Sequence, residues 1–276
     1  MEISGNALAD QVRTLIKAES DKLISNGVRP HLAIITLGQD ASWQTYVNQK
    51  LKWAEILSIK ASLFSLKDAT TEKVINAIEL LNADTTTHGI IVQRPLPTGI
   101  DKQQVVDTIL PQKDVDGFRM DSPFQVPVWM AVRYILEYIS TGYEDSLSSF
   151  LRGKTITVVG KGETAGSPII AGFQESGVEV QVADQSTQNT PEMVQNSDIV
   201  ISCVGKDVIK KEYMHKDQIL IGVGIRNEGK KLHGDFSNTD AKESGAAYTP
   251  TPGGVGPLNL TFLLQNVLQA AQFQRS

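Results

Sequence analysis

The sequence predicts an α/β protein of two domains, each built on a parallel sheet. Three observations predict it. The first half alternates short apolar runs with amphipathic segments of helical period, and such alternation with short connections gives a parallel sheet covered on both faces. A second alternation begins at KTITVVG (154–160), which runs directly into the glycine-rich turn GKGETAG (160–166). The chain has 276 residues, a length that suits about two domains.

The elements follow in order. Residues 6–25 carry an amphipathic helical pattern, and HLAIITLG (31–38) is a strand that stops at a glycine. Residues 41–59 are helical, with Val47, Leu51, Ala54 and Leu57 as the core-facing stripe. ASLFSL (61–66) reads as a second strand, and TTEKVINAIELLNAD (70–84) as a helix with a threonine start signal. HGIIVQ (88–93) is a short buried strand ended by PLP, and DKQQVVDTIL (101–110) is a helix. VPVWMAVRYILEYI (126–139) links the halves. In the second half the strands are 154–160, 178–184, 198–205 and 218–224, with helices after the glycine turn and near 191–196. GPLNLTFLLQNVLQAA (256–271) is too apolar for a tail, so this C-terminal helix is expected to pack back on the first domain. The boundaries expected from this pattern are 1–122 with 252–276 for one domain and 123–251 for the other.

Composition narrows the function. Hydrophobic residues at 41% and charged residues at 21% describe a globular chain with enough apolar surface for a core. A net charge of −5 argues against a nucleic-acid binder and leaves a small organic substrate. The N-terminus lacks a signal-type apolar core, and no run approaches the roughly 18 apolar residues that cross a bilayer. Cys203 is the one cysteine, and the histidines His31, His88, His215 and His233 lack ligand spacing. The expectation is a cytoplasmic protein with neither a metal nor a membrane partner.

Several stretches carry chemistry, each beside a plainer reading. In GKGETAG, Gly160, Gly162 and Gly166 let backbone N–H groups approach a pyrophosphate at a helix N-terminus. The plain alternative is a glycine turn. Asp184 ends the following strand, where a carboxylate takes ribose hydroxyls and repels a 2′-phosphate; it also suits a turn cap. Lys161 points the other way, as a cation able to hold that phosphate. Gln93 sits at the C-terminal end of its strand, where open parallel sheets bind ligands. KDVDGF (113–118) sets two acids against a glycine, and TPTPGGVGP (249–257) is a loop whose apex exposes bare backbone. Tyr46 and Lys50 stand one helical turn apart. On its own, Lys50 reads more readily as a surface lysine whose stem covers apolar surface than as a site residue.

Taken in order, Tyr46 and Lys50, VQRPLP, KDVDGF, the glycine turn, LHGD (232–235) and PTPGGVGP resemble the bifunctional methylenetetrahydrofolate dehydrogenase/methenyltetrahydrofolate cyclohydrolase (FolD) family over essentially the whole chain. The resemblance implies a first domain that binds tetrahydrofolate derivatives and a second, Rossmann-like domain that binds NADP, with NAD as the rival. It implies Lys50 as the catalytic lysine, Gln93 bonded to it, Tyr46 against the pterin and aminobenzoyl groups, and Asp116 on the polar edge of the pterin. Val92, Pro95, Leu96, Pro252, Gly253 and Gly254 are the further substrate contacts it implies. On the coenzyme side it implies Gly160, Lys161, Gly162, Thr164, Ala165, Gly166, Asp184, Gln185 and Ile225. A homodimer is also implied.

Departures from the family pattern cluster around the nucleotide. GKGETAGSP stands where the family has G-R-S-x-x-V-G-x-P, so Lys161 replaces an arginine and Gly162 a serine. DQST (184–187) replaces H-S-R-T, with Asp184 in place of the histidine. PVWM (127–130) stands in place of P-C-T-P, and GPLN in place of G-P-M-T. A short-chain dehydrogenase also uses Y-x-x-x-K, but its glycine turn precedes the tyrosine. A shikimate dehydrogenase relative shares the layout without KDVDGF or PGGVGP. A cyclohydrolase alone, or a folate-binding module with a decayed nucleotide site, is the non-redox alternative.

Overall fold

The computed structural model describes residues 1–38, 44–141, 147–229 and 231–274. Positions 41–43 of the helix expected over 41–59 lie outside the described residues.

Helix α1 (Gly5–Ser25) precedes a three-stranded sheet of β1 (His31–Leu37), β2 (Lys60–Leu66) and β3 (Gly89–Val92). The strands are parallel, in the order β2-β1-β3. All seven residues of the central strand β1 are buried, as expected of a parallel strand covered on both faces. Ala33, Ile35 and Leu37 pack with Ile90 and Val92 of β3 against Val74, Ile78 and Leu81. Those three form the buried stripe of α3 (Thr71–Ala83), which starts where Thr70 accepts a hydrogen bond from Lys73 N. α4 (Lys102–Thr108), capped by Asp101, adds Val105 to the same core. α2 (Gln44–Ile56) connects β1 to β2 and buries Val47 and Ala54.

The second half contains α5 (Pro127–Ser140), α6 (Leu147–Leu151), β4 (Ile156–Val159), α7 (Gly166–Glu175), β5 (Gln181–Ala183), α8 (Thr190–Gln195), β6 (Ile199–Ser202) and β7 (Ile219–Gly222). The hairpin strands β8 (Arg226–Glu228) and β9 (Lys231–His233), α9 (Asn238–Ser244) and β10 (Ala247–Tyr248) follow. Five strands form a parallel sheet in the order β10-β7-β6-β4-β5. The strand expected over 178–184 is shorter, because Val178 N bonds Phe173 O at the end of α7 instead of joining the ladder. β10, α6 and the polar β8–β9 hairpin are too short or too polar to show a hydrophobic period. α5 docks on α7 through Trp129, whose ring lies 4.8 Å from that of Phe173. A side chain at Gly172 would meet the Trp129 ring at 2.2 Å, so this position admits only glycine.

The chain forms two compact units: Met1–Ala9 with Val128–Asn259, and Asp10–Pro127 with Leu260–Ser276. Residues 1–9 and 252–259, expected with the first domain, group with the five-stranded sheet. The backbone explains it: Ile3 N bonds Tyr248 O beside β10, and Asn6 N bonds Gly253 O. Among the described residues no helix is long and apolar enough to cross a membrane.

From Leu260 onward, the C-terminal helix α10 (Val255–Phe273) packs on the first sheet's unit. Buried Asn266 donates to Val115 O at 2.9 Å and to Gln125 O at 3.0 Å, and Gln274 donates to His88 O. Asn266→Ala strands the buried Val115 carbonyl. It should lower unfolding free energy by about 2 kcal/mol, read as a shift in the urea midpoint at unchanged slope.

Candidate active site and nucleotide site

The order β2-β1-β3 sends the connections from β1 and β2 to opposite neighbours, which opens a crevice at the C-terminal ends of β1 and β3. Gln93 occupies that end of β3. Its backbone N–H extends the ladder to Ile35 O, and Arg94 and Pro95 then leave the sheet. The Gln93 side chain is oriented at both ends. Nε2 donates to Arg94 O at 2.8 Å, which leaves Oε1 to accept from Lys50 Nζ at 2.6 Å.

Lys50 reaches Gln93 from α2 and is half-buried. Burial lowers the pKa of its amine, and the nearby charge of Asp116 partly opposes the shift. Tyr46 lies one turn earlier and is 37% exposed. Burial raises the pKa of its phenol, so it remains a neutral aromatic surface. The surface-lysine reading of Lys50 thus gives way to an oriented amine in a crevice.

KDVDGF forms the third side. Buried Lys113 donates to the carbonyls of Leu81, Asn82 and Asp84 at 2.8 to 2.9 Å, a cation on the C-terminal end of α3. Asp114 is 2% exposed and accepts from Arg119 N, while its carbonyl accepts from Gly117 N and Ser122 Oγ. Gly117 has φ +70°, and a Cβ there would lie 2.6 Å from Phe124 O, so the loop turns only with glycine. The turn presents Asp116, half-buried, whose carboxyl burial pushes up while the charges of Lys50 and Arg94 pull it down. A cavity of about 20 Å³, enough for one water, is lined by Val92, Arg94, Leu96, Asp114, Asp116 and Phe118 among others. The expected residues Val92, Leu96 and Asp116 therefore meet. Pro95 is exposed beside them, and Pro252, Gly253 and Gly254 belong to the other compact unit.

On the five-stranded sheet the strand order switches between β4 and β6. Gly160 follows β4 with φ +91°. A Cβ on Gly166 would fall 1.9 Å from Gly160 O, and the space beside Gly162 is open. α7 begins at Ala165 without a side-chain cap. Ala165 N and Ser167 N donate to Gly162 O, and the turn backbone, open beside Gly162 at a helix start without a side-chain cap, fits a pyrophosphate. Lys161 Nζ lies 2.6 Å from Asp184 Oδ2. Thr164 and Gln185 are exposed on the same turns, and the Ile225 carbonyl approaches Gly205 in the loop beyond β6.

The sequence profile of the tetrahydrofolate dehydrogenase/cyclohydrolase catalytic domain matches residues 3–116, and that of the same family's NAD(P)-binding domain matches residues 144–275. The chain belongs to the tetrahydrofolate dehydrogenase/cyclohydrolase family. It is 36% identical to the bifunctional protein FolD of Listeria innocua, over 98% of this chain and 96% of that protein. Its fold superposes on the FolD dehydrogenase/cyclohydrolase crystal structure from Campylobacter jejuni with TM-score 0.90 at 28% identity, covering 99% of both chains. The Trypanosoma brucei FolD structure, complexed with NADP and an inhibitor, gives TM-score 0.88 at 28% identity over 99% of this chain and 97% of that one.

Several residues beside the two candidate sites of this family member carry no signal in the sequence. Arg94, adjacent to Gln93, lies over the Phe118 ring at 4.1 Å. Asp114 is the unassigned acid of KDVDGF. Asp235, the acid of LHGD, is fully buried; its carboxylate accepts from Val204 N and Lys206 N and fixes the loop after β6. Cys203 precedes that loop. Burial, then the Asp235 charge, push its thiol far above the usual range, so it is not a nucleophile.

Asp114 yields a pH test. Burial raises its carboxyl from 3.8 to about 6. The folded chain holds this proton longer than the unfolded chain, so the contribution is full below pH 3.8 and is lost as pH rises through about 6. Its size is about 3 kcal/mol. Asp114→Asn should therefore gain about that much on the parent between pH 4 and pH 7, measured by urea unfolding of both proteins.

Proposed function

We propose that this chain oxidises 5,10-methylenetetrahydrofolate with NAD(P)+ and hydrolyses the methenyl product to 10-formyltetrahydrofolate, with Lys50 as the proton-handling group. The observation that carries the reading is the 2.6 Å bond from Lys50 Nζ to Gln93 Oε1, made by an amine whose pKa burial lowers. The coenzyme supplies the hydride acceptor. Residues of the glycine turn, Gly160, Gly162 and Gly166, hold its pyrophosphate at the start of α7.

Oxidation leaves a methenyl cation. An ammonium about 4 Å away, at an effective dielectric of about 20, would oppose it by roughly 4 kcal/mol. A neutral Lys50 avoids that cost. Its lone pair then takes a proton from the water that attacks the methenyl carbon. As the carbon–nitrogen bond breaks, the ammonium returns the proton to the leaving nitrogen. Gln93 orients the amine without adding charge. Tyr46 offers a flat surface to the pterin and aminobenzoyl groups, Asp116 a polar contact to the pterin edge, and Val92, Pro95 and Leu96 the apolar frame. We also propose a cytoplasmic homodimer, in keeping with the family; sedimentation of the purified protein tests the assembly.

Lys50→Met should reduce cyclohydrolase turnover at least about 10²-fold, followed by loss of methenyl absorbance; unchanged turnover would refute the assignment. In the parent, turnover should rise with pH to a plateau, with a midpoint below the ordinary lysine value of 10.5. Gln93→Glu sets a negative charge against the amine and raises its pKa. The rising limb should move to higher pH.

A further inference from the structure

We infer that the Lys161–Asp184 pair selects the coenzyme and that it selects NAD over NADP. The inference rests on the proposed dehydrogenase reading and adds which nucleotide the second sheet accepts.

Asp184 stands at the C-terminal end of β5, beside β4 and its glycine turn. In a sheet of this kind an acid there meets the adenosine ribose. Its carboxylate is fixed on both oxygens, with Thr187 Oγ1 the outermost donor at 3.5 Å from Oδ1. Ser186 N donates to Oδ1 at 2.8 Å, Ser186 Oγ donates to Oδ1 at 2.5 Å, and Lys161 Nζ pairs with Oδ2 at 2.6 Å. The Lys161 and Ser186 bonds hold the carboxyl far below its usual range, so it is ionised at every working pH. A carboxylate offers about four lone-pair sites. Oδ2, with one donor, keeps room for a ribose hydroxyl.

A 2′-phosphate has no such place. It would bring close to two negative charges against a fixed carboxylate. The cation that could balance them, Lys161, already pairs with Asp184, and its side chain is 63% exposed, which weakens its pull through solvent screening. Gln185 and Ser186, the next residues of the turn, are neutral. The ion pair thus turns a potential phosphate ligand into a partner of the residue that rejects phosphate.

Equilibrium binding of NAD and NADP to the protein by calorimetry, with initial rates alongside, tests this. The parent should bind NAD at least about tenfold more tightly. Asp184→Asn keeps an acceptor for Ser186, removes the charge and releases Lys161; the preference should fall at least about tenfold. Lys161→Ala should widen the preference for NAD. A parent that prefers NADP, or an Asp184→Asn preference equal to the parent's in a protein with a parent-like unfolding transition, would overturn the inference and leave the dehydrogenase reading standing. Binding of neither nucleotide by the parent would overturn both.

Discussion

The proposed proton transfer depends on one bond, from the amine of Lys50 to the amide oxygen of Gln93. Neither partner could be placed without the parallel sheet. Gln93 reaches the crevice because β3 ends one residue earlier, and Lys50 because α2 carries it over the same strand ends. The amine has to be oriented and partly dehydrated without pairing tightly to a carboxylate. A strong ion pair would hold it protonated, whereas a neutral amide partner directs the nitrogen and leaves its pKa low.

The KDVDGF loop supplies the rest of that environment and is built to stay in place. Lys113 caps α3, Asp114 and Gly117 close the turn, and Asn266 of α10 ties the Val115 carbonyl. The buried Lys113 ammonium, Asp114 carboxylate and Val115 carbonyl each have a partner, which offsets the cost of burying them. Asp116 is therefore presented by a rigid turn, and its charge moderates Lys50.

Both sheets and most helices were legible in the sequence, because apolar runs ended by Gly or Pro and helical stripes such as Val74, Ile78 and Leu81 carry strong periods. β10 and the β8–β9 hairpin were not, since two or three residues have no period. The grouping of residues 1–9 with the second sheet was hidden as well, because backbone hydrogen bonds to Tyr248 and one from its hydroxyl to Glu2 follow no sequence period. At the candidate site, motif order points to Lys50, Gln93 and Asp116. It does not point to Arg94, Asp114 and Asp235, because their roles arise from a ring face, a buried turn and two amides that only the folded chain brings to them. Lys161 and Asp184 were both visible, but as opposing signals; their pairing became evident only from the 2.6 Å separation.

The most direct measurement is the titration of the Lys50 Nζ resonance in lysine-¹⁵N-labelled protein, assigned by its loss in Lys50→Met. The account predicts a midpoint below 10.5. A midpoint at or above that value would mean that the amine remains an ordinary ammonium, and would contradict the proposed proton transfer at its first step.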